Sequence, residues 1–282
     1  MKNIAILTDS GTNVPQEYVE RYGIHVLPLG INYAALSYRD RVDITAEQVI
    51  DRLDLEVPKT SLPSVEEVLF TLRQIRAQGI RQVLAVTISS GLSGTYSMFR
   101  RVAKEFEELD VRVIDTRNIG IGAGAAVIRA AELAARGLGL DDVEKRIRSG
   151  LQRTRVFFCV DTLKYLQKGG RIGLVTAAVG SLLGIRPVIS CNDDGVYYMV
   201  KKARGAKAAL DAAMDQVVRL AEGQSRFDLL VAHAGAEERA NAAAAALAEK
   251  LPNHRTLIFT PVSPALVVHT GPGLVGIGIY AY

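Results

Sequence analysis

The sequence predicts an α/β fold with two lobes: a parallel sheet in the N-terminal lobe, a mixed sheet in the C-terminal lobe and a ligand cleft between them. Apolar strand patterns such as residues 3–8 and 83–88 alternate with amphipathic helical patterns, which is typical of a parallel sheet covered by helices. In the second half, Asp193-Asp194-Gly195 separates two strand patterns, which is a hairpin signal. The 282 residues, 49% of them apolar, suffice for two lobes. We place these lobes at residues 1–153 and 154–282.

The first strand pattern ends at Thr8-Asp9-Ser10, and a short helix is predicted from Pro15. Ligands of open parallel sheets bind beyond the carboxyl ends of the strands, so Asp9 and Ser10 lie where a ligand could bind. The alternative for both residues is a role in a turn or a helix cap. A second strand is predicted over residues 24–33.

Two later helices are each predicted to begin with a capping box, Thr45 with Gln48 and Ser64 with Glu67. Thr60 and Ser61 precede the second of these helices, in a segment bounded by Pro58 and Pro63. Proline restricts the backbone, so we expect a rigid loop whose two hydroxyl groups are free to donate hydrogen bonds to a ligand.

The sequence SSGLSGTY, residues 89–96, lies between a strand pattern and a helical pattern. Gly91 and Gly94 allow tight turns and close approach of a ligand. Ser93 and the free N–H groups of the following helical turn can donate to an anion. The segment therefore predicts a site for a carboxylate or a phosphate. The alternative is that Ser93 only caps the helix.

A glycine-rich run, residues 120–126, follows the next strand pattern. Its spacing does not match the dinucleotide-binding motif, and small residues also allow a helix to pack closely on a sheet. Packing is therefore the favoured interpretation, with nucleotide binding as the alternative. Asp141 and Glu144 are predicted to cap the next helix, which ends near Gly150.

The second lobe begins with a strand, followed by a short helix over residues 162–168 that Gly169-Gly170 ends. Lys164, Lys168 and Arg171 lie at its end. Cations favour the C-terminus of a helix, which is enough to explain them. The alternative is a surface that docks an acidic partner, with Arg171 projecting beyond the diglycine turn.

Residues 172–185 are apolar or small, apart from Thr176 and Ser181, and carry no charge, so we expect a helix that is buried nearly all round. The run is a candidate wall for an apolar tunnel, and plain core packing is the alternative. Further elements follow it in order: a helix over residues 206–220, a strand over 229–232, a helix over 236–250, a strand over 256–259 and a helix over 263–268.

His269 ends the last helical pattern, directly before Thr270-Gly271-Pro272-Gly273. The chain has four histidines, and only His269 has the glycine-rich setting of a site. A structural role, in which the imidazole bonds the last carbonyls of its helix, is the alternative. No two histidines have the spacing of metal ligands, so no metal site is predicted.

The composition disfavours several functions. The net charge of +4 arises from interleaved acidic and basic residues without a basic block, so no nucleic-acid partner is expected. Cys159 and Cys191 lie far apart in strand patterns, which predicts buried thiols. The first residues lack a signal-peptide pattern, and the apolar residues 256–282 are interrupted by prolines. We therefore expect a cytoplasmic protein without a membrane span.

Five motifs in one order resemble the DegV family: residues 8–10, 60–64, 89–96, 163–173 and 269–273. This resemblance implies a two-lobed α/β protein that carries a long-chain fatty acid between its lobes, with no cofactor and no catalysis of its own. Such a protein is similar to the fatty-acid-binding subunit of fatty acid kinase. In that system a separate ATP-dependent kinase subunit phosphorylates the bound carboxylate, and the acyl phosphate feeds phospholipid synthesis.

The resemblance also implies roles for individual residues. The implied carboxylate contacts are Thr60 or Ser61, Ser93 with the backbone of Gly94, and His269. The implied partner-docking residues are Arg171, Lys164 and Lys168. Two positions depart from the family pattern, because Leu62 stands where Gln is common and Gly120 lies near a common Ser. These departures affect the finer shape of the carboxylate site.

Two other functions stay open on the sequence alone. A phosphoryl-transfer or hydrolytic enzyme would use Asp9, Ser93 and His269, and it predicts turnover by the protein alone. A DNA-binding regulator would rest on the basic isoelectric point, and it predicts salt-sensitive binding to DNA. A fatty-acid carrier predicts lipid that co-purifies with the protein.

Overall fold

The structure, a computed structural model, describes residues 4–178 and 184–282. The elements of the N-terminal half are β1 (Ile4–Asp9), α1 (Gln16–Tyr22), β2 (His25–Leu27), β3 (Gly30–Asn32), β4 (Ser37–Arg39), α2 (Ala46–Arg52), β5 (Lys59–Ser61), α3 (Val65–Ala77), β6 (Gln82–Thr87), α4 (Thr95–Glu105), β7 (Asp110–Asp115), α5 (Ile121–Ala135) and α6 (Leu140–Gln152). Those of the C-terminal half are β8 (Arg155–Cys159), α7 (Lys164–Lys168), β9 (Ile185–Cys191), β10 (Tyr197–Arg204), α8 (Ala206–Ala221), β11 (Phe227–His233), α9 (Glu237–Lys250), β12 (Thr256–Pro261), α10 (Pro264–Thr270) and β13 (Val275–Ala281). Two 3-10 helices are Ser10–Thr12 and Gly173–Ala178.

The N-terminal half contains a four-stranded sheet in the order β2-β1-β6-β7. All its strands are parallel, and Ile6 of β1 lies opposite Leu84 of β6. Strands β1 and β6 are almost entirely buried, because helices cover both faces of a parallel sheet. The predicted parallel sheet is confirmed.

The C-terminal half contains a six-stranded sheet in the order β10-β9-β8-β13-β11-β12. Its pairs are antiparallel except β11 with β12, so the predicted mixed sheet is confirmed. The predicted hairpin joins β9 to β10, and Gly195 in its turn has a φ of 75°. Glycine reaches this left-handed conformation without the steric cost of a Cβ atom.

A third sheet, with the strand order β4-β3-β5, was not predicted from the sequence. It is antiparallel and lies in the N-terminal half, where only parallel pairing was expected. The strand predicted over residues 24–33 is two strands in different sheets, with Pro28 between them. Proline cannot donate to a strand ladder, so it marks this break. The expected loop at Thr60 and Ser61 is strand β5.

Local signals at helix ends were partly right. Both capping boxes are present, at Thr45 with Gln48 and at Ser64 with Glu67. The predicted capping of α6 by Asp141 and Glu144 is wrong, because α6 begins after Gly139 without a side-chain cap. Both carboxylates instead pair with Arg112 of β7, whose guanidinium lies 3.1 Å from Glu144. A cation on the neighbouring strand thus binds the acidic groups that could have capped the helix.

Helix α5 lies between the two large sheets and is buried on nearly every side. Its glycines permit this packing: a Cβ atom at Gly124 would lie 2.4 Å from the carbonyl oxygen of Thr12, and one at Gly122 would lie 2.5 Å from Asn118. The glycine run therefore serves close packing. One hydrophobic core joins residues of both halves around this helix. The division into residues 1–153 and 154–282 stays a prediction.

The apolar run at residues 172–185 differs from expectation in its described part. It begins with a short 3-10 helix in which Leu174 is 63% exposed, so it is not buried all round. Residues 179–183, which belong to the proposed tunnel wall, lie outside the described residues. Cys159 and Cys191 are buried free thiols, as predicted, and burial raises the pKa of each to about 12.

Candidate functional site

A cavity of about 300 Å³ lies where the carboxyl end of β6, the sheet β4-β3-β5, α10 and the C-terminal sheet meet. Pockets for small molecules occupy roughly 300–1,000 Å³, so the volume suits a ligand of moderate size. Most of its wall is apolar; the lining side chains include Leu29, Ile88, Ile121, Phe158, Val262 and Leu274.

Several polar side chains line this cavity, and we call five of them, from separate parts of the chain, the polar cluster: Thr60, Ser61, Ser93, Arg171 and His269. Thr60 hydrogen-bonds His269, and Arg171 donates to the carbonyl oxygen of Leu92, the residue before Ser93. The expected convergence of Thr60, Ser61, Ser93 and His269 on one cavity is confirmed. Their contact with a ligand stays a prediction.

His269 lies in the last turn of α10, and its Nε2 is 2.8 Å from the hydroxyl oxygen of Thr60. Its Nδ1 is buried against Gly169 without a hydrogen-bond partner in the described chain. Burial, with a smaller contribution from the charge of Arg171, lowers the pKa of His269 to about 4. The imidazole is therefore neutral at pH 7.

The tautomer follows from the unpaired Nδ1 of His269. A buried N–H group without an acceptor is rarer in proteins than an unpaired acceptor. The arrangement thus favours the proton on Nε2, where it is donated to Thr60. The hydroxyl hydrogen of Thr60 is then available to a ligand in the cavity.

Ser93 lies directly before Gly94, the N-cap residue of α4, and its side chain contacts the start of that helix. Its Oγ accepts a hydrogen bond from the backbone N–H of Thr95, the first residue of α4, at 3.3 Å. It also lies 2.9 Å from the Thr95 hydroxyl, while the residue lines the cavity. Gly94 is not among the described lining residues, and its Cα faces the side chain of Leu62.

Ser61 differs from Thr60 in the direction of its hydroxyl. Its Oγ accepts from the Asn32 side chain at 3.2 Å and lies close to Gly30, where a Cβ atom would be only 2.2 Å away. Neighbouring side chains of a strand point to opposite faces, which separates the two hydroxyl groups. Thr60 is therefore the better placed of the two to bind a ligand beside His269.

Arg171 was expected to project from the surface, and this is wrong. The residue is half-buried and lines the cavity, because Nε donates to the carbonyl oxygen of Leu92 at 3.3 Å and Nη1 to that of Gly169 at 2.7 Å. Lys164 and Lys168 are exposed and are not among the described lining residues. Sequence reasoning missed the place of Arg171 because the diglycine turn suggested exposure without showing its direction.

The three residues of the enzymatic alternative do not form a hydrogen-bonded chain. Asp9 is buried, and its Oδ2 accepts from the backbone N–H of Ile88 at 3.0 Å. His269 bonds Thr60 rather than Ser93, whose hydroxyl is close to Thr95. The nucleophile, base and acid that this alternative requires are thus bonded to other groups.

Asp40 is a buried acid that sequence reasoning missed. Its Oδ1 accepts from the backbone N–H of Ala265 in the first turn of α10 at 2.9 Å. Burial raises its pKa. No local pattern marks it, since the bond joins residues more than 200 positions apart.

Among the described residues, no group of three or more His, Cys, Asp or Glu side chains is placed to hold a metal ion. The helices of the described ranges include none long and apolar enough to cross a membrane. The fold and cavity define an α/β protein with two large sheets and an internal, mainly apolar cavity bearing a polar cluster.

Comparison with known proteins gives the family. Residues 3–282 match the family model described as "Uncharacterised protein, DegV family". A DegV domain-containing protein of Clostridium acetobutylicum is 39% identical over 280 residues, covering 99% of each chain. The chain belongs to the DegV family.

Solved structures are also similar. A structure from Thermus thermophilus, described as showing fatty-acid binding by a DegV family protein, superposes with a TM-score of 0.91 and 32% identity, covering 99% of this chain and 100% of that one. A stearic-acid-binding protein of Eubacterium ventriosum gives a TM-score of 0.89 with 26% identity, covering 100% and 98%. The predicted resemblance and fold class are thereby confirmed.

Proposed function

We propose that this protein binds a long-chain fatty acid in the cavity and presents its carboxylate to a separate ATP-dependent kinase subunit, which forms an acyl phosphate for phospholipid synthesis. The protein acts in the cytoplasm as a carrier, without a cofactor and without catalysis of its own. The observation that carries the proposal is an apolar cavity lined at one place by the polar cluster. Fatty-acid binding by the solved relatives supports it.

The apolar wall supplies most of the binding energy in this proposal. Each buried methylene contributes roughly 0.8 kcal/mol, so ten methylenes contribute about 8 kcal/mol before the cost of association is subtracted. A fatty acid can thus be held without a strong ion pair at its carboxylate.

The polar cluster gives the carboxylate hydrogen-bond donors with little fixed charge. The Thr60 hydroxyl donates one hydrogen bond to the carboxylate, because it accepts from the Nε2–H of His269 and its own hydrogen is free. The Ser93 hydroxyl donates a second. Arg171 is the one charged side chain among the described lining residues, and guanidinium N–H groups not used by Leu92 and Gly169 face this charge. The backbone N–H of Gly94 completes the proposed set, and the hydroxyl of Ser61 is the alternative to that of Thr60.

The kinase partner binds beside the polar cluster in this proposal. Lys164 and Lys168 are exposed on the short helix α7, which ends at the turn that holds Arg171. Exposed cations steer an acidic partner and contribute little to folding. Arg171 lies at the boundary between this surface and the cavity, so it can act on the partner and on the bound carboxylate.

Organic extraction and mass spectrometry of the purified protein test the carrier function. We expect a fatty acid at close to one equivalent. Ala232→Phe, which places an aromatic ring in the cavity wall, should reduce this content, whereas Ala208→Phe on the exposed face of α8 should not. Wild-type protein that contains no lipid and fails to bind added oleate would refute the proposal.

A further inference from the structure

Three buried polar atoms close to the polar cluster have no hydrogen-bond partner in the described chain: Asp9 Oδ1, Asp40 Oδ2 and Ser263 Oγ. The two carboxyl groups accept hydrogen bonds from the backbone of Ile88 and Ala265. Both of these residues line the cavity, so the acids lie directly behind its wall. Buried polar groups are usually paired, so unpaired ones need an explanation. Two buried acids at one wall suggest a purpose other than packing.

Each acid binds the backbone at the start of a segment that leads to a residue of the polar cluster. Asp9 Oδ2 accepts from the N–H of Ile88, at the end of β6, from which the chain runs directly to Ser93. Asp40 Oδ1 accepts from the N–H of Ala265, in the first turn of the helix that ends with His269. Both hydrogen bonds are buried, where such a bond is stronger than in water, so each fixes the backbone at its point of contact.

The two acids are also connected to each other. The Ser10 hydroxyl, next to Asp9, accepts from the N–H of Leu29 and lies close enough to Asp40 to lower the pKa of that acid. Ser263 lies near enough to lower that pKa as well, although its hydroxyl is not aligned for a hydrogen bond. The charge of Asp40 in turn raises the pKa of Asp9, so the two acids lie close enough to interact.

We propose that Asp9 and Asp40 are positioning residues for the carboxylate of the bound fatty acid: together they hold the Ser93 segment and the His269 helix in register across the cavity. This inference rests on the proposed function. Neither acid lines the cavity, so both act through the elements whose backbone they hold.

The test compares two ligands with the same tail, oleate and oleyl alcohol, on delipidated protein, by displacement of a fluorescent fatty acid. The ratio of their dissociation constants measures recognition of the carboxylate separately from burial of the tail. Asp40→Ala should reduce the preference for oleate about tenfold, the effect of one lost anchoring hydrogen bond. Its affinity for oleyl alcohol should stay within about twofold of the wild-type value.

Asp40→Asn should restore the preference, because its amide oxygen can accept from Ala265. Asp43→Ala is the matched control, since Asp43 is an exposed acid of the same segment and pairs with Arg39. Asp40→Ser takes the place of the alanine variant if that variant does not fold, because its hydroxyl is one bond too short to reach Ala265.

Two results would overturn the proposal. The first is an unchanged preference in Asp40→Ala, whether or not the affinity for both ligands falls equally. The second is a loss of preference in Asp40→Asn as large as in Asp40→Ala. Equal losses would show that Asp40 serves only folding. Failure of the wild-type protein to bind oleate would instead refute the proposed function, so the two failures are distinguishable.

Discussion

Asp9→Asn should change how the stability of the protein depends on pH. The Asp9 carboxyl group is buried, one of its oxygens has no partner in the described chain, and burial raises its pKa from 3.8 to about 7. Below pH 4 the group is protonated in both the folded and the unfolded state. Between pH 4 and pH 7 the unfolded chain releases this proton while the folded protein keeps it, so ionisation favours unfolding.

The difference of about three between the two pKa values corresponds to roughly 4 kcal/mol. The free energy of unfolding of Asp9→Asn, minus that of the wild type, should therefore rise by up to this amount from pH 4 to pH 7 and then stay level. Urea unfolding at several pH values measures it, and most other titrating groups cancel in the comparison. Asp43→Asn is the control: Arg39 lowers the pKa of Asp43, so its difference should fall with rising pH only below about pH 4 and stay flat from pH 4 to pH 7. A difference that is flat, or that falls with pH, would refute the reasoning.

Three further outcomes are expected. Ser93→Ala should keep its co-purifying lipid but bind oleate about 1–3 kcal/mol more weakly by displacement assay, since one hydroxyl bond is lost and the tail is untouched; an empty, folded variant would contradict this. Arg171→Ala should retain lipid and slow phosphorylation by the cognate kinase, and an empty cavity would assign Arg171 to the ligand alone. Gly124→Ala should lower the free energy of unfolding by about 1–3 kcal/mol, because its Cβ would meet the Thr12 backbone, whereas Gly139→Ala, with open space around it, should not; equal effects would argue against tight packing at α5.

Local signals predicted local structure well. The capping boxes at Ser64 and Thr45 need only four neighbouring residues, and the alternation of strands and helices indicated the parallel sheet. The strand predicted over residues 24–33 failed because its apolar pattern continues through Pro28, while the hydrogen bonding does not.

The candidate site could be predicted only in part. Ser93 and His269 were recognised from their glycine-rich settings. The pairing of His269 with Thr60 joins residues 209 positions apart, and the direction of Arg171 depends on the carbonyl groups of Leu92 and Gly169. Such pairs are set by tertiary packing, which no local pattern contains.

The position of α5 between the two large sheets has a consequence for synthesis on the ribosome. The helix is made before β8, β11 and β13, which cover one side of it. At roughly 5–20 residues per second, its apolar surface waits on the order of ten seconds for that cover. A fragment ending near residue 153 would keep this surface exposed permanently and should aggregate. A chaperone that binds the nascent chain should therefore raise the yield of soluble full-length protein.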